Sequence, residues 1–307
     1  MYAVQISYLD VNCLSLSDFD KFQSLLSVEE SAKANKFRFQ KDKNRYITGH
    51  GYLRVLLGSY LNCDPAALKF GANPYGKPFL RKRDISDSIY FNVSDSDDYV
   101  VYAFSRVGEI GIDIEKILPD FATQEVAKRF FSDHEVSALR SLPEKDKIEA
   151  FFNCWTRKEA FIKAIGEGLS YPLKDFDVSL KPGEPAKLLR IRGDAEEASQ
   201  WTIQEMPIAA GYKASFAIRA KDFEKYYRGR LMARPQCHQA ANPSKEFGIA
   251  GLRLGYLLTE NKPLKEMIKD CSNKKPFENE NYVRISVKTK EDNKKLIDAL
   301  KQIELEK

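Results

Sequence analysis

The segment GIDIEK, residues 111 to 116, constrains the fold more than any other stretch of the sequence. Ile110, Ile112 and Ile114 occupy alternate positions, and Asp113 and Glu115 stand between them. Successive side chains of a β-strand point to opposite faces, so the isoleucines would share one face and the two carboxylates the other. Like charges on one face repel each other, and their burial costs free energy. The pattern therefore predicts a β-strand, and it raises the question of what compensates the charges of the two carboxylates.

Length and composition limit the possible classes of protein. The chain has 307 residues, 43% of them hydrophobic, which suits about two globular domains. No apolar run approaches the ~20 residues of a membrane span, and the first residues lack a basic segment followed by an apolar one, so we expect no signal peptide. The five cysteines form no CxxC pair. That spacing favours free thiols in a reducing, cytoplasmic setting.

The net charge of +5 is unevenly distributed along the chain. Residues 229–307 contain 16 Lys and Arg against 11 Asp and Glu, which leaves 33 of each sign in residues 1–228. The body of the chain is therefore neutral, and the charges of the tail are mixed. We expect no nucleic-acid partner and no membrane partner.

Hydrophobic periodicity divides the chain into three blocks. Residues 1–108 predict a strand, helices within 28–61, a Gly- and Pro-rich loop and two strands, and residues 109–228 repeat that order. The predicted fold class is α+β, with two pseudo-symmetric halves packed face to face. Residues 229–307 form a third block, which we expect to be a small irregular tail.

A third carboxylate lies on a predicted helix over residues 145–165. Apolar residues at spacings of three and four include Trp155 and Ile162, and Glu159 occupies a position on the same stripe. One interpretation is structural: Glu159 pairs with Lys163 one turn on, and the strand carboxylates merely end a strand. The other is chemical, because three inward-facing carboxylates without histidine or cysteine suit Mg²⁺ and, through it, a pyrophosphate.

Several motifs resemble those of one enzyme family. GIDIEK is followed by WTRKEAFIKAIGEGLSYPL, with Asp113 and Trp155 42 positions apart, and YGKP, FNVS and RFFS occur around them. Together they resemble the signature of the 4′-phosphopantetheinyl transferases, in particular the two-halved, surfactin-synthetase-activating class. The resemblance covers residues 1 to about 228.

The resemblance implies a reaction and roles for residues. In this family a serine of an apo acyl or peptidyl carrier protein attacks coenzyme A, phosphopantetheine is transferred and 3′,5′-ADP leaves. Asp113, Glu115 and Glu159 match the positions that bind Mg²⁺, and Glu159 also matches the general base. Lys163 matches the residue that assists the leaving phosphate, and Lys158 matches a basic position near the phosphates. A two-halved member is expected to act as a monomer.

Five further residues match positions that bind coenzyme A. They are Lys33, Arg45, Lys77, Ser94 and Asp95. For the lysines and the arginine the plainer interpretation is a solvated helix face or a surface turn. Asp95 departs from the family, which usually has a phosphate-facing histidine there, and this motivates an alternative function as a non-catalytic protein that binds carrier protein or coenzyme A.

The tail resembles a different family. NPSKEFGIAGLRLGYLL is similar to the lysine segment of histidinol-phosphate-type pyridoxal-phosphate aminotransferases, and Lys245, Arg253 and Arg284 match its functional positions. Arg253 and Arg284 are 31 residues apart, too close for the small-domain core that the family places between them. We therefore interpret residues 229–307 as an internally deleted remnant without a cofactor pocket.

Overall fold

The computed structural model describes residues 4–81, 89–221 and 225–230. Lys245, Arg253 and Arg284, on which the resemblance of the tail to aminotransferases depends, lie outside the described residues. None of the helices within those three ranges is long and apolar enough to cross a membrane.

The N-terminal half begins with a strand, continues with helices and ends with four strands. Serine side chains cap the first two helices in capping boxes, which satisfy backbone N–H groups that a helix leaves free at its start. In chain order the elements are β1 (Val4–Asp10), α1 (Leu16–Ser24), α2 (Val28–Ala34), α3 (Gln40–Leu61), β2 (Phe70–Ala72), β3 (Pro78–Leu80), β4 (Tyr90–Ser96) and β5 (Tyr99–Ser105). Helix α1 is not predicted by the sequence analysis.

The C-terminal half repeats this order. Its elements are β6 (Ile110–Lys116), α4 (Gln124–Phe130), α5 (Asp133–Arg140), α6 (Glu144–Ile165), β7 (Phe176–Val178), β8 (Leu188–Ile191), α7 (Ala195–Ser199), β9 (Thr202–Glu205) and β10 (Tyr212–Ile218). The long helices α3 and α6 both have 22 residues and both end at a residue in the left-handed conformation, Asn62 and Gly166. The strands order as β1-β5-β4 in one half and β6-β10-β9 in the other. The predicted α+β class with two similar halves is thus confirmed.

Both halves use the same anchor for their long helix, and in the N-terminal half it is built on Arg54. Ser27 and Glu30 form a capping box at the start of α2, and Glu30 also accepts a hydrogen bond from Nε of Arg54, on α3, at 2.8 Å. The guanidinium donates to the carbonyl of Leu68 at 3.0 Å and lies over the ring of Phe70. A buried arginine is tolerated here because its donors have partners.

The equivalent anchor of the C-terminal half is built on Lys158. Ser132 and Glu135 form the capping box of α5, and the Lys158 ammonium, on α6, pairs with Glu135 at 2.8 Å. It donates to the carbonyl of Phe176 at 2.7 Å and lies over the ring of the same residue. Glu135 accepts a further bond from the backbone N–H of Val178. These contacts hold α5, α6 and β7 together.

The two halves share a central core, and the isoleucines of β6 lie in it. Ile110, Ile112 and Ile114 are all buried and pack in one cluster with residues of β1 and β5, including Val4 and Val101. The predicted alternation of faces in GIDIEK is therefore confirmed for the apolar face. The opposite face of β6 is left for α6.

A last strand returns to the first sheet. β11 (Lys225–Arg230) pairs in parallel with β1, so that Tyr8 lies beside Gly229 and Leu9 beside Arg230. The expected boundary between residues 228 and 229 falls inside this strand. The pairing was not visible in the sequence because a parallel partner lies far away along the chain.

Candidate active site

Gly111 allows β6 to lie directly against α6. A Cβ atom at this position would sit 2.1 Å from the carbonyl oxygen of Ala160 and 2.3 Å from the backbone nitrogen of Ala164. Real Cβ atoms do not approach backbone so closely, hence any side chain here would force the helix away from the strand. The close approach brings the polar face of β6, which carries Asp113, onto the last turns of α6.

Asp113 is the centre of the group that forms there. It is 2% exposed, and its Oδ1 atom accepts hydrogen bonds from Nζ of Lys163 at 2.5 Å and from Oγ of Ser94 at 3.0 Å. Lys163 also donates to Ser94 at 2.9 Å. The second carboxylate oxygen, Oδ2, is buried and has no hydrogen-bond partner among the described residues. Such an atom costs free energy unless a ligand satisfies it.

Glu115 and Glu159 lie half-buried beside this pair and respond to its charge. Burial, together with the negative charge of Asp113, raises the pKa of Glu115 to about 7 and that of Glu159 to about 7. Ser96 donates to Glu115 at 3.2 Å. Burial alone would lower the pKa of Lys163, but the charge and hydrogen bond of Asp113 raise it above its ordinary value. Three carboxylates therefore share one ammonium, which leaves negative charge in excess.

The described residues contain no group of three or more His, Cys, Asp or Glu side chains gathered closely enough to hold a metal ion. The structure brings Asp113, Glu159 and Lys163 into one electrostatic group, but it does not gather the carboxylate oxygens around a common point. The chemistry of these side chains nevertheless suits a hard cation, because they offer only oxygen ligands. One of these is Oδ2 of Asp113, which has no partner among the described residues.

The structure does not bring Lys158 to this group. Its ammonium is buried between Glu135 and the carbonyl of Phe176, as described above. Lys158 thus has partners other than the expected phosphate, because consecutive residues of a helix point in different directions and its neighbour Glu159 belongs to the group around Asp113. The sequence analysis read only one apolar stripe on α6, whereas most of the helix surface is buried.

A cleft of about 130 Å³ lies on the N-terminal half, and its walls include Arg45, Tyr46 and Asp95. Asp95 Oδ2 forms an ion pair with Nε of Arg45 at 2.5 Å, and Asp42 accepts a hydrogen bond from Nη2 of the same guanidinium at 3.0 Å. Lys33 lies over the ring of Tyr46, 5.3 Å from its centre. Of the residues predicted to bind coenzyme A, Arg45 and Asp95 thus line the cleft, and Lys33 contacts Tyr46, which lines it too.

Strand β4 connects the cleft to the carboxylate group. Ser94 and Asp95 are neighbours in the strand, so their side chains take opposite faces. Ser94 points to Asp113, and Asp95 points to Arg45. A ligand that touches both sites would therefore follow this strand.

Lys77 has partners other than the expected phosphate. It ends the NPYGK turn (residues 73–77), and its ammonium donates to the carbonyl of Ala164 at 2.9 Å and to that of Ile110 at 3.3 Å. Glu109 forms an ion pair with it. Burial lowers the pKa of Lys77, and the ion pair with Glu109 opposes this change.

Three residues that contact the site or anchor the helix that carries it were missed by the sequence analysis. Ser96 contacts Glu115, Asn73 contacts the end of α6, and Glu135 holds Lys158. Only Glu135 carried a local signal, since the segment SDHE has the form of a capping box. The contacts of Ser96 and Asn73 join distant parts of the chain.

Comparison with known proteins identifies relatives of both halves. The profile described as the 4′-phosphopantetheinyl transferase superfamily matches residues 109–217, and the profile of the N-terminal region of 4′-phosphopantetheinyl transferase matches residues 15–106. 4′-phosphopantetheinyl transferase HetI of Nostoc sp. is 37% identical over 190 residues, 62% of this chain and 77% of the relative. 4′-phosphopantetheinyl transferase Sfp of Bacillus subtilis is 33% identical over 211 residues, 68% of this chain and 89% of the relative.

A more distant organism also supplies a relative. The L-aminoadipate-semialdehyde dehydrogenase-phosphopantetheinyl transferase of Rattus norvegicus is 30% identical over 213 residues, 64% of this chain and 68% of the relative. The two profiles cover the parts of the chain that build the cleft and the carboxylate group.

Proposed function

Because the chain belongs to the 4′-phosphopantetheinyl transferase superfamily, we propose that it transfers 4′-phosphopantetheine from coenzyme A to a serine of an apo carrier protein. The reaction would depend on Mg²⁺ and release 3′,5′-ADP. Transferase activity as such follows from the relatives, which carry that activity in their names. The donor, the metal and the leaving product are parts of the proposal.

One observation carries the proposal more than any other. Asp113 is buried, one of its oxygens accepts a hydrogen bond from Lys163, and the other has no partner within the described part of the chain. A buried carboxylate oxygen without a protein donor can accept a ligand, and at Asp113 this oxygen belongs to a group that also contains Glu115, Glu159 and Lys163. Burial and the charge of Asp113 raise the pKa of the neighbouring Glu115 and Glu159 to about 7, which reflects the crowding of negative charge in this group.

We assign the metal to Asp113, Glu115 and Glu159. Their oxygens are the ligands that Mg²⁺ prefers, and the excess negative charge of the group would be offset by a divalent cation. A Mg²⁺ held by these residues would supply positive charge that offsets the negative charge developing on the leaving group.

The other assigned roles belong to side chains of α6. Glu159 would accept the proton of the carrier serine, since its carboxylate belongs to the same group as Asp113 and Lys163. Lys163 keeps its proton because its pKa is raised, and it would therefore stabilise or protonate the departing phosphate. Ser94, which contacts both Lys163 and Asp113, would hold them in place and approach the phosphates.

Coenzyme A would lie along β4, with its 3′-phosphate at the cleft. Lys33 and Arg45 are the cations at that position. Arg45 is already engaged by Asp42 and Asp95, so a phosphate would have to displace at least one of these carboxylates. Lys158 receives a structural role in this proposal, as the anchor of α6.

The proposal extends to the organisation of the enzyme. The site combines Ser94 of the N-terminal half with Asp113 and Lys163 of the C-terminal half. One chain therefore contains every residue that we assign, and we propose that the two halves together with β11 act as a monomer.

The test is the mass of the carrier. An apo acyl or peptidyl carrier protein is incubated with the enzyme, coenzyme A and Mg²⁺, and its intact mass is measured. We expect an added phosphopantetheine, and we expect no addition when the carrier serine is replaced by alanine. The alternative, a non-catalytic binding protein of the same fold, predicts binding of coenzyme A or carrier with no mass change.

A further inference from the structure

The NPYGK turn of the N-terminal half lies against the C-terminal end of α6, in the other half. Asn73 donates through Nδ2 to the carbonyl of Gly166 at 2.7 Å, and Lys77 donates to that of Ala164 at 2.9 Å. The last carbonyls of a helix have no partner within the helix. A cation near them also interacts favourably with the helix dipole. The turn therefore caps the helix that carries the proposed catalytic residues.

The turn is built to hold this position. The side-chain oxygen of Asn73 accepts from the backbone N–H groups of Tyr75 at 3.0 Å and Lys77 at 2.8 Å. The aliphatic part of Lys77 packs on Gly166, where an added Cβ would meet its Cδ atom at 2.9 Å. Gly166 has a φ of +81°, so glycine is favoured there for its backbone as well.

The contacts of Lys77 lie next to both members of the central ion pair. Ala164, one acceptor, follows Lys163 directly on α6, and Ile110, the other, lies on the same strand as Asp113. The distance from Lys163 Nζ to Asp113 Oδ1 is 2.5 Å. This distance depends on the position of the end of α6 relative to β6. Lys77 donates hydrogen bonds to the backbone of both elements.

We propose that Lys77 is a positioning residue, which clamps the end of α6 to β6 and thereby sets Lys163 on Asp113. The proposal rests on the proposed function for its effect on catalysis, and it differs from a direct contact between the Lys77 ammonium and a phosphate of coenzyme A. A clamp acts on the rate of the chemical step, whereas a phosphate contact acts on the binding of coenzyme A.

Steady-state kinetics separate these two roles. Lys77→Met removes the ammonium but keeps most of the aliphatic stem, and Lys69→Met, at an exposed position just before β2, is the matched control. We expect Lys77→Met to lower kcat at least about tenfold, because a misplacement of 1 Å can cost about a hundredfold in rate, with KM for coenzyme A nearly unchanged. Lys77→Arg should restore part of kcat, and Lys69→Met should behave as wild type.

The opposite split would overturn the proposal. If Lys77→Met raises KM for coenzyme A and leaves kcat intact, the ammonium binds substrate. A KM effect that disappears with 3′-dephospho-coenzyme A would assign that contact to the 3′-phosphate.

Amide hydrogen exchange tests the clamp without relying on activity. In the full chain, peptides covering residues 160–168 should exchange faster in Lys77→Met than in wild type or Lys69→Met, since the helix end loses a cap. Unchanged exchange would refute the clamp. If the wild-type enzyme transfers nothing, the proposed function fails, but the exchange result still decides whether Lys77 holds α6.

Discussion

Replacing Gly111 by alanine tests the close contact on which the whole site depends. A Cβ atom there would lie 2.1 Å from the carbonyl oxygen of Ala160 and 2.3 Å from the nitrogen of Ala164. Both atoms belong to the backbone of α6, so no side chain can turn away to make room. Ordinary contact needs roughly 3.4 Å, and the helix and strand must therefore separate by about 1 Å.

The separation has two measurable consequences. Overpacking of a core typically costs about 1–3 kcal/mol, which for a body of this size lowers Tm by roughly 2–4 °C per kcal/mol. A displacement of about 1 Å between Asp113 and Lys163 is expected to reduce kcat by about two orders of magnitude. We therefore expect Gly111→Ala to remain folded but to transfer phosphopantetheine very slowly.

Gly108→Ala is the matched control, because a Cβ there would meet only the carbonyl oxygen of Arg219, at an ordinary 3.7 Å. Tm by calorimetry and kcat by the carrier-mass assay are measured for both variants and for wild type. If Gly111→Ala retains wild-type Tm and kcat, the strand and helix are not in contact as described. Equal losses in Gly108→Ala would mean that any alanine near the start of β6 is harmful.

Three further predictions concern the cleft, acid stability and the last strand. Asp95→His should lower KM for coenzyme A several-fold with little change in kcat, since it frees Arg45 to bind a phosphate. A higher KM would show that the Arg45–Asp95 ion pair has a structural role instead. Hydrogen bonds from His50, from a backbone N–H and from Arg54 outweigh burial and lower the pKa of Glu30 to about 2. The stabilisation that the Glu30 carboxylate contributes should be complete above pH 4.5 and lost as the pH falls toward 2. The difference in the free energy of unfolding between wild type and Glu30→Gln, measured in urea, should therefore shrink over that range, and a constant difference would refute this. A chain ending just after Arg230 should keep wild-type Tm and activity, whereas one ending at Lys221 should lose stability by leaving β1 as an edge.

Local patterns in the sequence predicted the parts of the structure that depend on local geometry. The alternation in GIDIEK fixes which side chains share a face, because the period of a strand is two. Ile112 accordingly lies in the central core and Asp113 on the side of α6. The helix predicted over 145–165 differs from the observed helix by one residue at its start. Its end was predicted correctly because Gly166 is a typical residue at the C-terminus of a helix.

Contacts between distant segments could not be predicted in the same way. Lys158 and Lys163 both look like basic residues of a catalytic helix, but only their partners distinguish them: Glu135 for the first and Asp113 for the second. Lys77 resembled a surface lysine because its acceptor, Ala164, lies 87 residues away. The burial of most of α6 similarly arises from elements on several sides, which no single stripe of apolar residues reveals.

The most direct test of the account is the effect of Glu159→Gln on transfer to an apo carrier protein. The substitution keeps the shape of the side chain and removes the charge that we assign to the metal and to the carrier proton. We expect wild type to add phosphopantetheine in Mg²⁺ and to stop in EDTA. Glu159→Gln should add none in either condition, while its Tm equals or slightly exceeds that of wild type, because a buried charge has been removed. Undiminished transfer by Glu159→Gln, or transfer by wild type in EDTA, would contradict the assigned site.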